Sequence, residues 1–384
     1  MWSVDTETRR PARGAYGTTA RGAPLDAYSY AFRVTDDAHL AAYRSAAACG
    51  RRRRRTPHDS HPTPPMKATG RAHPIQGLVK YHGLRDPARN VPYHDSISVC
   101  TAPSETRTTV AFGHDADTCL VDGDPVDDEG FDRVTTVLDA VRDRAGLTSG
   151  ARVESVNTFA SNVGLGASAS AYAALAVAAT AAAGLSLSRR ELSALARQGA
   201  TSAARSVPGG YAQLRARLPA HECVGERLDA PFTEEVRMVV GMVPAYKRTS
   251  RAHAETPASP FFDARLAAVH ETLAEARDAI RGGDFARTFA LAERDSLSLL
   301  ATTMTGPDGW LYWRPETVRL YDLARRLRDE GLPVYFSSDT GATAYLNTTA
   351  PHAERVAEAV EALGLDSHVW RVGGPAERVD DHLF

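Results

Sequence analysis

From position 66 onward, the spacing of apolar residues alternates between a period near two and one near 3.6. Short apolar runs at 68–78 and 97–112, joined by a polar loop rich in Pro, Arg and Asn, predict strands. The stretch from Leu120 to Val126 predicts a hairpin with Asp122-Gly123 as its turn pair. Helical spacing follows at Phe131–Ala145, then a strand at Ala151–Thr158 and a buried helix through the small apolar run Ala171–Ala183. Ser188 with Glu191 three residues on forms a capping box and predicts a helix over Ser188–Ala204. Val236–Pro244 is continuously apolar and predicts a strand, and the polar stretch Tyr246–Pro260 predicts a linker or lid. Helices are predicted at Phe262–Arg281, Phe285–Met304 and Pro315–Glu330. The tail predicts a strand at Pro333–Ser337, a turn at Asp339–Gly341, a strand at Thr343–Leu346, a helix at Pro351–Leu363 and a strand at Ser367–Val372. This order predicts an α+β protein with a boundary near residue 245, dividing 66–245 from 246–384.

Residues 1–65 lack either period and contain the run Arg51–Arg55. They read as a basic arm, a disordered tail, or a leader upstream of a true start at Met66. The leader holds 11 arginines and 6 acidic residues, whereas Met66–Phe384 holds 34 basic and 41 acidic residues. An acidic body argues against nucleic acid as a partner. Arginine outnumbers lysine 42 to 3, and the alanine-rich, acidic composition suggests a GC-rich genome and a high-salt cytoplasm. No apolar run has the roughly 18 residues of a membrane helix, and no signal-peptide core is seen, so a cytoplasmic protein is expected. The four cysteines form no CxxC pair, which fits a reducing compartment. No metal-ligand set is predicted: after His270-Glu271, Ala274 stands where a second histidine ligand would fall.

The segment Gly164-Leu165-Gly166-Ala167-Ser168-Ala169-Ser170 feeds directly into the alanine-rich helix. Glycines before a helix start expose N–H groups to the positive dipole end, which suits a phosphate; an ordinary N-capped helix is the alternative. The segment is neither a Walker A loop nor a dinucleotide fingerprint.

The order of this loop with Lys80-Tyr81-His82-Gly83, the run Arg197–Tyr211 with its Arg205-Ser206-Val207-Pro208-Gly209-Gly210, and Ser338-Asp339-Thr340-Gly341-Ala342 is distinctive. Taken together these motifs resemble the mevalonate-diphosphate decarboxylase branch of the GHMP kinase superfamily, over about five-sixths of the chain. The resemblance implies a two-domain GHMP fold: a ribosomal S5-like N-terminal domain and a C-terminal α/β domain. It implies ATP and Mg2+ as cofactors, a phosphorylated mevalonate as the small-molecule substrate and a possible homodimer. In that family ATP phosphorylates the substrate 3-hydroxyl, and loss of phosphate and CO2 leaves an isopentenyl product. Asp339 matches the catalytic Asp and Lys80 the lysine that stabilises charge at the reacting hydroxyl. Arg205, with Ser202 beside it, matches the arginine that holds the substrate carboxylate. Residues 164–170 match the ATP loop. Tyr81, Gly209 and Gly210 fall in substrate-binding segments, as do Arg248 and Arg251 among further phosphate contacts. Read without the resemblance, Asp339 is a turn cap, Lys80 a surface lysine and Arg205 a salt-bridge partner.

Departures from the family pattern bear on the substrate. Lys-Tyr-Trp-Gly-Lys in the family is here Lys80-Tyr81-His82-Gly83-Leu84, and Ser-Gly-Ser is Ala200-Thr201-Ser202. Losing one cation and one hydroxyl, with each charged contact worth roughly 1.5–3 kcal/mol, favours a monophosphate over a diphosphate. The expected substrate is (R)-5-phosphomevalonate and the product isopentenyl phosphate, as in haloarchaeal relatives. The alternatives are a diphosphomevalonate decarboxylase, a mevalonate 3-kinase, or a non-catalytic GHMP-fold binding protein. His82 or His94 would be a substitute phosphate contact only if not structural.

Overall fold

The computed structural model describes residues 67–159, 165–245 and 253–384. The leader 1–65, Gly164, Arg248 and Arg251 lie outside the described residues.

In chain order the structure runs β1 (Lys67–Ala72), β2 (Ile75–Val79), β3 (Leu84–Asp86), β4 (Val91–Pro92), β5 (Ser96–Ala102), β6 (Thr106–His114), β7 (Thr118–Val121) and β8 (Asp124–Pro125). Helix α1 (Asp128–Ala145), β9 (Gly150–Asn157), α2 (Ala167–Ala182), α3 (Arg189–Gly199) and the single turn α4 (Ala203–Ser206) follow. Then come β10 (Tyr211–Leu214), β11 (Gly225–Leu228), β12 (Val236–Gly241), α5 (Phe262–Arg281), α6 (Phe285–Met304) and α7 (Pro315–Asp329). The chain closes with β13 (Tyr335–Ser338), β14 (Ala344–Thr349), α8 (Ala353–Glu361), β15 (Ser367–Val372) and β16 (Glu377–Val379).

Each of the first two expected strands is divided by a proline. Pro74 parts β1 from β2 and Pro103 parts β5 from β6, because a residue without an N–H cannot continue a ladder. Each division hands the chain from one sheet to another. β1 and β6 lie in a six-stranded sheet ordered β16-β1-β6-β9-β7-β8, and β2 and β5 in an eight-stranded sheet, β11-β10-β5-β15-β12-β14-β13 with β2 also on β5. The eight-stranded sheet takes strands from either side of residue 245.

Helix α2 covers the six-stranded sheet and is buried almost all round, within a cluster shared with α1, α3 and the strands. Its alanines allow this closeness. A Cβ at Gly70 of β1 would lie 2.2 Å from the Ala174 carbonyl oxygen, so that strand and helix touch backbone to backbone. In the eight-stranded sheet β12 is buried on both faces: Val236, Met238 and Val240 pack with α5 and α6, and Val239 with α7 and α8. That two-sided burial explains its unbroken apolar run.

Asp122 and Gly123 both adopt positive φ, 54° and 91°, in the β7–β8 turn. The expected helix over Ser188–Ala204 begins at its capping box but is interrupted. Gly199 abuts the Tyr172 ring, Ala200 is extended at φ −156°, ψ 134°, and helix resumes only at α4. The spacing missed β3 and β4, within the stretch expected as a polar loop, and β10, β11 and β16; with four or fewer residues each, they carry no readable period.

Candidate active site

Gly77 of β2 is where two distant parts of the chain meet. Its N–H donates to Asp339 Oδ1 at 2.9 Å. A Cβ there would stand 2.7 Å from Lys80 Cγ and 2.8 Å from Asp339 Oδ1, so both side chains lie over the one position that has none. Asp339 follows β13 and keeps partial access to solvent, while Lys80, just past β2, is 5% exposed. The Lys80 ammonium donates to Ser296 Oγ at 3.0 Å and lies 3.6 Å from Asp295 Oδ2. Burial lowers the Lys80 pKa below the usual lysine range; the carboxylates of Asp295 and Asp339 oppose that fall.

Arg205 of α4 is 3% exposed, and its Nε and Nη1 have no hydrogen-bond partner among the described residues. Burial lowers its pKa, opposed by Tyr81 and Asp339, and its guanidinium lies 5.5 Å over the Tyr81 ring. Such orphaned donors in a buried arginine are a standing demand for an anion. The interruption after Gly199 brings Ser202 to the same place, where its hydroxyl meets that of Ser168 at 3.4 Å. Ser168 is on the first turn of α2, so the segment that carries Arg205 and the loop-helix junction adjoin.

That junction suits phosphate oxygens. Gly166 sits at φ 70° as the α2 N-cap and makes no side-chain cap bond; a Cβ there would strike the Ile75 carbonyl at 2.5 Å. The Ala169 N–H is bonded to the Gly166 carbonyl at 2.9 Å, while those of Ala167 and Ser168 have no acceptor among the described residues and are left to an outside one. The loop's side chains divide. Ser168 is exposed and Ala167 partly so, whereas Leu165 and Ala169 are core residues. The Ser170 hydroxyl is turned inward onto Thr106 Oγ at 2.7 Å. Gly209 and Gly210, at φ 67° and 61°, have their own structural use: a Cβ on Gly209 would lie 2.2 Å from Pro375 N, and Gly210 N–H bonds the Gly373 carbonyl at 2.9 Å.

Leu84 is partly exposed in β3 and Ala200 is buried. His94 is 3% exposed, with its pKa lowered to about 4 by burial and by Arg265; Nδ1 sits 2.7 Å from the Asp95 carbonyl. A neutral, buried imidazole does not replace a lysine. His82 is buried and packs at 4.3 Å from the His253 ring, which also stacks on Tyr81 at 5.4 Å. Gly83 N–H donates to His253 Nδ1 at 3.1 Å.

Sequence reasoning missed Gly77, Asp295, Arg265 and His253. Asp295 and Arg265 left a signal: each occupies the buried stripe of its helix, Asp295 with Phe289, Ala292 and Leu299, and Arg265 with Phe262, Val269 and Leu273.

The family model for the diphosphomevalonate decarboxylase-like N-terminal domain matches residues 72–224. The phosphomevalonate decarboxylase of Haloferax volcanii is 51% identical over 319 residues, 82% of this chain and 98% of the relative. The chain belongs to the diphosphomevalonate decarboxylase family. Its fold is accordingly that of the GHMP superfamily. The crystal structure of mevalonate diphosphate decarboxylase from Staphylococcus aureus superposes with a TM-score of 0.78 at 28% identity, covering 82% of this chain and 98% of that one. A complex of MDDEF with MVAPP, AMPPCP and magnesium superposes at 0.77, also 28% identical, covering 82% and 99%. Family membership removes the binding-protein alternative from the front rank, since Asp339, Lys80 and Arg205 are all present and brought together.

Proposed function

We propose that the protein catalyses the ATP- and Mg2+-dependent decarboxylation of (R)-5-phosphomevalonate to isopentenyl phosphate, with ADP, phosphate and CO2. The observation that carries this reading is the convergence of Asp339 and Lys80 over Gly77 beside a buried arginine with unpaired donors. The name and 98% coverage of the Haloferax relative support the monophosphate substrate, as does Leu84 at the position of the family's second lysine. The MDDEF complex supports ATP and Mg2+ as cofactors.

When bound, Mg·ATP would supply the transferable phosphoryl group, and the N–H groups that open α2 with Ser168 would hold its phosphates. Asp339 accepts or orients the proton of the substrate 3-hydroxyl as that oxygen bonds to phosphorus and the bond to ADP breaks. Lys80 stabilises the negative charge gathered there. Arg205, with Ser202, pins the carboxylate. When the tertiary carbon–oxygen bond breaks and phosphate departs, the electrons of the bond to the carboxylate carbon become the new double bond and CO2 leaves. Arg248 and Arg251 are proposed phosphate contacts, and Tyr81 a wall of the substrate site beneath Arg205.

A kinase that stopped at phosphorylation would have no use for a buried, carboxylate-seeking Arg205, so that reading is set aside. The test is turnover in molar KCl with ATP and Mg2+, comparing 5-phosphomevalonate, 5-diphosphomevalonate and mevalonate, with CO2 and ADP followed together. Preference for the monophosphate with equal release of both is expected. Faster turnover of the diphosphate, or ADP without CO2, would overturn the assignment.

A further inference from the structure

Helices α5 and α6 each place one charge where their packing stripe is otherwise uncharged, and the two charges meet. Arg265 Nη2 lies 2.9 Å from Asp295 Oδ1, with both residues at most 5% exposed. What they hold is Lys80. Asp295 Oδ2 accepts the Lys80 backbone N–H at 2.9 Å, and Arg265 Nη2 donates to the Lys80 carbonyl at 2.7 Å. The peptide groups on both sides of the Lys80 Cα are thereby fixed by a single buried ion pair. The side chain is held too: Ser296, next to Asp295, donates its own proton to the Ala292 carbonyl at 2.8 Å, leaving its oxygen to accept from the ammonium.

We infer that Asp295 and Arg265 are positioning residues that act through Lys80: Asp295 keeps its ammonium charged and aimed at the reacting hydroxyl, and Arg265 prevents Asp295 from capturing it. The inference rests on the role given to Lys80 above. A buried amine sheds its proton unless a nearby anion offsets the lost hydration, and an anion too close would sequester it in a tight pair. The distances show a shared carboxylate. Asp295 lies 2.9 Å from Arg265 and 3.6 Å from Lys80 Nζ, so it pairs with both cations and more closely with the guanidinium.

Among the described residues, the charges facing Lys80 are Asp295 from α6, Arg265 from α5 and Asp339 from the turn after β13, with the Ser296 and Ser337 hydroxyls. Arg205 faces Asp339 and is permanently charged. His94 faces the Arg265–Asp295 pair but is neutral above about pH 4. The nearby phenols of Tyr81 and Tyr345 are raised by burial and stay protonated. On this inference the alkaline limb of activity belongs to the Lys80 proton.

The two members of the pair push Lys80 in opposite directions, which separates this role from mere support. In the full-length protein, kcat is measured against pH with 5-phosphomevalonate and Mg·ATP. Asp295→Asn should move the alkaline limb to lower pH, so that kcat falls roughly tenfold more at about pH 9 than near neutrality. Arg265→Met should move the same limb to higher pH even as kcat near neutrality drops. Limbs that stay put, or move together, overturn the inference. Should Asp295→Asn fail to fold, Arg265→Met alone decides: a limb that does not rise refutes it. Lys80→Met run in parallel distinguishes the two levels. Full activity in that variant would remove the catalytic reading of Lys80 itself, whereas an inactive Lys80→Met with unmoved limbs would sink only the positioning role.

Discussion

Asp339 Oδ1 accepts the backbone N–H of Gly77 at 2.9 Å, across 262 positions of sequence. A carboxylate so tied to the main chain of a buried strand does not depend on its own turn for aim. Asp339→Asn keeps an oxygen for this bond but cannot take a proton. We expect its kcat to fall by about 10²–10⁴, with thermal stability close to that of the unaltered protein. Steady-state kinetics beside a melting curve check this, and retained activity in Asp339→Asn would remove the assigned base.

Gly77→Ala tests the same relationship from the other side. Its methyl would have to displace Lys80 Cγ at 2.7 Å or Asp339 Oδ1 at 2.8 Å. The end of a flexible side chain yields more cheaply than backbone, so misalignment should exceed unfolding. A kcat loss of about 10²-fold with a small fall in Tm is expected; unchanged kinetics would show that the site tolerates the shift.

Arg205 should be costly to the free protein. Two of its donor nitrogens are buried without partners among the described residues, a penalty of about 1–3 kcal/mol. Arg205→Met is therefore expected to hold or raise Tm while lowering kcat/KM by about 10²-fold or more. Because the stabilisation belongs to the substrate-free state, saturating substrate should raise the Tm of the unaltered protein and not that of the variant. Destabilisation of Arg205→Met would instead mark it as a structural ion.

His94 predicts an acid limit to stability. Burial lowers its folded pKa to about 4 from an ordinary 6.5. Between those values the unfolded chain binds the extra proton, so stability is full above the upper pH and is lost as pH falls toward the lower one. The contribution is about 3 kcal/mol at most. His94→Gln should flatten the decline in this window when denaturant midpoints are compared across pH, and an equally steep decline would assign acid sensitivity to other groups.

Elements with a clear period were legible. α5, α6 and β15 begin and end where their apolar spacing does, and Ser188 and Glu191 form their capping box. The interruption after Gly199 was not, because its cause is the Tyr172 ring, 27 positions away in sequence and on another helix. In the site, Asp339, Lys80 and Arg205 stood out by motif order. Asp295 and Arg265 did not, since one charge within an apolar stripe acquires meaning only when its partner stripe is known to face it. Gly77 was invisible for a similar reason: its requirement comes from two side chains that converge on it, not from a turn.

The pairing of β16 with β1, joined by Lys67 Nζ bonding the Phe384 oxygen at 2.5 Å, also governs how the protein is made. On the ribosome, the outer edge of the strand beginning at Lys67 stays open until β16 has emerged. That edge is a template for stray pairing between nascent copies throughout synthesis. β16 thus covers that edge, and a truncation that removed it would threaten the yield of folded protein before it threatened catalysis.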